Sequence, residues 1–255
     1  MTSSEPSVAV LPETADIETA SDGYAARFAG PVGAWLLAVQ ERITLSLLPE
    51  PITSREVLDV GGGHGQLAHP LCKRGVRVTV LGSDESCQKR IGDVIAAGQC
   101  RFTTGTVVAL PFADRSFGVT LSFRLLPHCT AWPVLIRELC RTAGHSVIVD
   151  YPVKAGFNAL APALFGAKKK MEGNTRDWRM FTHAEVDAEF VKNGFALQRR
   201  EGQFFLPMVL HRIMKCPGLS AAVEAPFKVL GLTRRWGSPV IARYDRQKGK
   251  QQNIE

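Results

Sequence analysis

The sequence predicts an α/β chain, built on a doubly wound, mostly parallel sheet with helices on both faces. Three observations carry this. Short apolar runs alternate with longer mixed stretches from Glu56 to Val149. A glycine cluster separates the first run from the helix that follows it. Strand, helix and strand in succession require crossovers, and crossovers make neighbouring strands parallel.

In order, Asp22 to Leu48 shows a helical pattern that Gly30-Pro31 splits in two, and Pro49 and Pro51 mark its end. Glu56-Val57-Leu58-Asp59-Val60 reads as a buried strand. The helix predicted over Gln66 to Arg74 is closed by Gly75 acting as a C-cap glycine. Val76 to Leu81 is a second strand, Cys87 to Ala97 a second helix, and Phe117 to Phe123 another strand. A helix over Pro133 to Cys140 and a strand over Ser146 to Val149 complete this half. Thr182 and Glu185 have the spacing of a capping box, which predicts a helix running to Asn193 and stopped by Gly194. Phe195 to Leu206 reads as a strand. Residues 207–231 read as helices punctuated by prolines, inserted before a last strand from Pro239 to Tyr244. Residues 1–20 lack aromatic side chains and are expected to be disordered. The polar tail over 247–255 is expected to be loose.

A chain of 255 residues suits one such domain with an extension. None of the six cysteines forms a CxxC pair or groups with histidines at zinc-ligand spacing. They read as reduced and mostly buried, with no metal. The polar start lacks the pattern of a secretory signal, and no run of 18 apolar residues is present, so a cytoplasmic protein is expected. The net charge of +7 is uneven. Residues 1–150 carry 13 Lys and Arg against 15 Asp and Glu, while residues 151–255 carry 18 against 9. Such an excess marks a solvated basic face, an acidic substrate, an anionic membrane surface or RNA. The run Lys168-Lys169-Lys170 is read as solvated.

The central motif is Asp59-Val60-Gly61-Gly62-Gly63-His64-Gly65. Glycines let backbone approach a ligand closely, and a following helix start offers unpaired N–H groups. A polar ligand is therefore expected over this turn, at the carboxyl edge of the sheet. A nucleotide P-loop would end in Gly-Lys-Ser/Thr, which is absent. A dinucleotide fingerprint would place glycine where Gln66 stands, whereas the spacing GxGxG holds at Gly61, Gly63 and Gly65.

The string from Val57 to Gly65 resembles motif I of the class I S-adenosylmethionine-dependent methyltransferases. Leu110-Pro111-Phe112-Ala113-Asp114-Arg115-Ser116-Phe117 resembles their LPFxDxSFD segment, and Leu121 to His128 resembles the strand-4 segment that follows. The resemblance spans residues 56–150 and is nearest the type 11 group, to which ubiquinone-biosynthesis methyltransferases are related. It implies a Rossmann-like, seven-stranded sheet with an N-terminal helical lid over 21–50. The methyltransferase domain would span 51–246, with its cofactor-binding core at 56–150 and the helical insert before the last strand.

The resemblance also assigns roles. Gly61, Gly62, Gly63 and Gly65 would pass under the methionine part of S-adenosylmethionine, and Asp59 would support the loop or meet the methionine ammonium. An acid normally ends strand 2 and binds the ribose; here Gly82 stands at that position, which leaves Ser83 or Asp84 for the task. Thr106 and Val107 stand where Asp often meets adenine, so a hydroxyl and a backbone N–H would serve instead. Gly118 replaces an Asp that tends to be structural. Phe123 is counted with the cofactor residues. Tyr24, with Arg27 and Phe28, lies on the lid helix and would sit near the methionine carboxylate.

Methyl transfer is an in-line displacement that mainly needs alignment, and a base is needed only for phenol, alcohol or carbon-acid acceptors. His128, just past strand 4 and stiffened by Pro127, is the candidate base. His64 is expected to touch cofactor or substrate, and His183 to be structural. The insert mixes apolar residues with Arg212, Lys215, Lys228, Arg234 and Arg235. It would cover an apolar pocket or lie against anionic lipid. A small-molecule acceptor, partly apolar or acidic, is the leading expectation, and no DNA contact is expected. RNA is the weaker acceptor, since no RNA-binding module is recognisable. A non-catalytic protein on the same fold is the other alternative.

Overall fold

The computed structural model describes residues 13–52, 56–156 and 179–247. Seven strands form one sheet in the order β3-β2-β1-β4-β5-β7-β6. They are β1 (Glu56–Val60), β2 (Arg77–Gly82), β3 (Cys100–Thr104), β4 (Phe117–Ser122), β5 (Ala143–Tyr151), β6 (Phe195–Gly202) and β7 (Val240–Arg246). β1 pairs in parallel with both β2 and β4, and only β7 runs against its neighbours. The strand order reverses between β1 and β4, so a crevice opens at their carboxyl ends.

The pleat of β1 explains the two-sided core. Leu58 and Val60 face one cluster with Leu135, Leu139, Val186 and Phe190. Val57 faces the other, with Leu47, Leu71, Val78 and Ile91. Alternation places successive side chains on opposite faces, and both faces are dry because helices cover each.

The helices are α1 (Ala15–Ala20), α2 (Asp22–Ala26), α3 (Gly30–Leu47), α4 (Ala68–Cys72), α5 (Gly92–Ala96), α6 (Trp132–Thr142), α7 (His183–Lys192), α8 (Met208–Met214), α9 (Pro217–Val229) and α10 (Leu232–Trp236). The break at Gly30-Pro31 separates α2 from α3, with Pro31 in the first turn, where its missing N–H costs nothing. The capping box forms as expected. The Thr182 hydroxyl accepts from the Glu185 N–H at 3.2 Å, and the Thr182 N–H donates to the Glu185 carboxylate at 2.7 Å.

Three expectations need correction, and one strand went unread. Of the stretch expected to be disordered, 1–20, residues 13–20 are ordered: α1 is a helix in which Ala15 is 2% and Asp16 1% exposed. Its small buried residues and the buried acid Asp16 suffice because it is laid over the carboxyl edge of the sheet rather than left in solvent. Residues 1–12, the run at 168–170 and residues 248–255 lie outside the described residues. The helix expected over Cys87 to Ala97 is a 3-10 segment, Glu85–Ile91, followed by the short α5. β3 was not read from the sequence, because as an edge strand it offers one buried residue, Cys100, and little alternation. The strand expected to reach Leu206 stops at Gly202, where a Cβ would stand 2.1 Å from the Thr233 carbonyl of the insert.

Gly118 coincides with an irregularity in register between β4 and β5, which falls between Phe117 and Val119. A residue without a side chain suits such a bulge.

Candidate functional site

The glycine turn leaves β1 and enters and exits a 3-10 turn through Gly61 and Gly65, both at φ 77°. It crowds Cys87 so closely that a Cβ on Gly63 would stand 2.4 Å from the Cys87 carbonyl oxygen. Gly63 is thus required by packing between the turn and the 3-10 segment after β2.

Asp59 lies under this turn, 2% exposed. One carboxylate oxygen, Oδ1, is buried with no hydrogen-bond partner. Burial pushes its carboxyl up to about 7 against the opposing pull of Arg124. A small cavity of about 20 Å³ opens beside it, lined by Gly61, Gly62, His64, Thr19, Phe123 and Arg124 among others. Burial holds His64 down to about 4, so its ring is neutral at pH 7.

A second, larger cleft of about 120 Å³ adjoins it. Tyr24, Phe28, Leu36, Phe204 and Met208 form its apolar wall, and Gln40, Arg124, His128 and Asp150 its polar one. Tyr24 meets the edge of His64 with ring centroids 5.9 Å apart, so it also borders the glycine turn. Burial raises the Tyr24 phenol above its ordinary value. His128 ends a 3-10 turn, Leu126–His128, and its N–H donates to the Leu125 carbonyl at 3.0 Å.

Arg124 lines both cavities. Sequence reasoning quoted it within a motif and gave it no role. It is a non-glycine residue at φ 59°, a conformation L side chains seldom adopt. The fold holds it there: its N–H donates to Asp150 at 2.6 Å, and its guanidinium donates to Gln40 at 2.7 Å and to Gln66. The guanidinium lies 4.4 Å over the Phe28 ring, while Nη1 is buried without a partner. Positive φ at an arginine was not readable from sequence. Asp150, at 4% exposure, also accepts from Gln40 at 2.9 Å, and burial pushes its carboxyl up to about 6.

The corner at the end of β2 differs from expectation. Asp84 is exposed there and accepts from the Ser86 N–H at 2.9 Å as the cap of the 3-10 segment. The carboxylate at this corner belongs to Asp16 of α1. It accepts from the Ser83 N–H at 2.5 Å and from the Ser83 hydroxyl at 2.6 Å. Glu13 accepts from the Ala131 N–H at 2.9 Å and from the Thr130 hydroxyl, so the segment crosses from β2 to α6. Ala15 packs with Leu58, Val60, Leu81 and Val107. Val107 is fully buried, and Thr106 is exposed with its hydroxyl 3.5 Å from the Val108 N–H. Asp59, Gly61, Gly62, Phe123, Tyr24 and His128 are thus brought around the two cavities, whereas Gly63 and Gly65 line neither. Asp84 and Thr106 stand apart, and α1 covers Ser83 and Val107.

A family model described as a methyltransferase domain matches residues 57–144. An uncharacterized methyltransferase of Mycobacterium avium is 32% identical over 133 residues, 51% of this chain and 53% of that protein. A ubiquinone biosynthesis O-methyltransferase of Sinorhizobium medicae is 26% identical over 171 residues, 62% of this chain and 67% of its own length. The chain thus spans about half the length of the mycobacterial relatives it matches. Among solved structures, magnesium protoporphyrin IX methyltransferase from Synechocystis PCC 6803, with bound SAH, superposes with a TM-score of 0.59 at 16% identity. That match covers 91% of this chain and 98% of the other. The strand order, the glycine turn after β1 and these matches agree: residues 57–144 match a methyltransferase domain, on the same Rossmann-like sheet as the Synechocystis methyltransferase structure.

Proposed function

We propose that this chain transfers a methyl group from S-adenosylmethionine to a small-molecule acceptor held in the larger cleft. The observation that carries the reading is the orphaned, buried Oδ1 of Asp59 beneath the glycine turn. A buried carboxylate oxygen without a donor is costly, and the ammonium of the cofactor's methionine part supplies the missing donor. The donor set fits the group at this end. At the other end, α1 lies over Ser83 and Val107 and must shift for the adenosyl part to reach them.

When bound, the cofactor supplies a sulfonium methyl group open to in-line displacement. Asp59 would hold the ammonium, and His64, neutral at pH 7, would border the cation without repelling it. The apolar wall of Phe28, Leu36 and Phe204 keeps water from the acceptor. His128, on the same cleft, takes the proton from an acceptor hydroxyl as the new bond forms. The unpartnered Nη1 of Arg124 suits an acidic group on the acceptor.

The narrow, largely apolar cleft favours a small acceptor over RNA. An apolar cavity of roughly 150 Å³ admits benzene, so this cleft has room for about one ring or a chain end. The test is transfer of labelled methyl from S-adenosylmethionine into extract fractions, with S-adenosylhomocysteine binding followed by calorimetry. Binding without transfer to any fraction would favour the non-catalytic alternative, and absence of binding would defeat the proposal.

A further inference from the structure

The helices between β6 and β7 carry a surface unlike the rest of the described residues. Among the described residues, ten large apolar side chains are exposed, and seven of them fall between Val209 and Trp236. On α9 and at its C-cap, Leu219, Ala222, Pro226, Val229 and Leu230 are all exposed. Their spacing of three, four, three and one places them on one face of the helix. Ser220 and Glu224 are fully buried on the opposite side. Ile213 of α8 is 68% exposed, Leu230 is 71% and Val229 is 86%.

The charge on this surface has one sign. Between Gln203 and Tyr244 the sequence holds a single acid, Glu224. Glu224 is consumed inside, accepting from the Phe205 and Leu206 N–H groups at 2.9 Å each and lying 3.1 Å from His211 Nε2. Lys215, Lys228, Arg234 and Arg235 are exposed, and the Arg235 guanidinium sits 5.0 Å from the Trp236 ring centre. Exposed aliphatic side chains rimmed by cations and a Trp form the pattern of a helix lying in a lipid interface.

We propose that α8, α9 and α10 dock onto an anionic membrane surface, with the aliphatic stripe entering the headgroup boundary and the cations meeting lipid phosphates. A second copy of the chain is the poorer occupant. A two-fold interface would set these cations against their own copies with no exposed acid to meet them. Single-stranded nucleic acid would satisfy the charges, but it binds through stacking on aromatic platforms, and this stripe is aliphatic.

The full chain is sedimented with vesicles of pure phosphatidylcholine and with vesicles in which roughly a third is phosphatidylglycerol. Binding is expected to the anionic vesicles, to weaken with salt, and to be nearly absent on the neutral ones. Ile213→Glu with Val229→Glu should lower partitioning at least about tenfold. Arg234→Glu with Arg235→Glu should remove the preference for anionic lipid. These positions are solvent-exposed, and circular dichroism confirms that each variant folds. Failure to bind anionic vesicles at low salt, or unchanged binding by both variants, overturns the proposal. So does a dimer in light scattering that Ile213→Glu converts to monomer, which would assign the face to a second copy.

Discussion

The carboxylate of Asp16 accepts two hydrogen bonds from one residue, Ser83, through its backbone N–H and its hydroxyl. This pair ties α1 to the end of β2, where the ribose would sit on the proposed reading. The corner lacks an acid of its own because Gly82 ends the strand. Asp16→Ala should free α1 and tighten S-adenosylhomocysteine several-fold, since the competent state would no longer be a minor one. Calorimetry on both proteins measures it. Weaker binding by the variant would mean that Asp16 is itself a ligand of the cofactor.

Asp59 predicts a pH dependence of stability. Its carboxyl moves from 3.8 in the unfolded chain to about 7 in the folded one, because burial penalises the charge. Below about pH 4 both states hold the proton and Asp59 has no influence. From there to about pH 7 the unfolded chain ionises first, so stability falls as pH rises, by on the order of 2–4 kcal/mol in all. Urea midpoints of the wild type and Asp59→Asn, measured at pH 5 and 7.5, should diverge as pH rises, with the wild type losing more. Parallel midpoints would show that Asp59 is not buried as a proton-binding group.

His128→Ala should reduce turnover at neutral pH by roughly a hundredfold or more while leaving S-adenosylhomocysteine affinity nearly unchanged. Both follow from its place on the wall of the larger cleft, away from the small cavity beside Asp59. Turnover retained within a few-fold would reduce His128 to a wall residue, with alignment alone carrying the reaction.

Gly63→Ala tests packing. Its new Cβ would meet the Cys87 carbonyl, so the turn and the 3-10 segment must separate. A melting temperature lowered by several degrees is expected, in line with about 1–3 kcal/mol for overpacking. An unchanged melting temperature with lost cofactor binding would place Gly63 against the ligand instead.

Arg124→Gln should raise the KM of an acidic acceptor by about tenfold or more, the scale of a lost charge-assisted hydrogen bond. An uncharged analogue of the same acceptor should show little change. Equal effects on both would mean that Arg124 supports the walls rather than reading the acceptor.

Strong local signals were legible in the sequence. The β1 run, the glycine turn and the Thr182–Glu185 box each depend on neighbours a few residues away, and each forms where expected. What escaped depends on distant partners. α1 is too short to be stable alone; Ser83 holds its Asp16, and Thr130 and Ala131 hold Glu13 just before it. Arg124 takes its left-handed backbone because Asp150, 26 residues on, captures its N–H. No composition or period encodes either contact.

The position of Arg124 between the two cavities has a thermodynamic consequence. Its guanidinium is shared by Gln40 of α3 and by Gln66 beside the glycine turn, and it lines both spaces. A ligand in either space that reorients it changes the partner offered to the other. Linkage then requires reciprocity: whatever factor the cofactor adds to acceptor affinity, the acceptor returns to the cofactor. On the proposed reading, Arg124 would couple cofactor and acceptor through one side chain rather than through a moving domain.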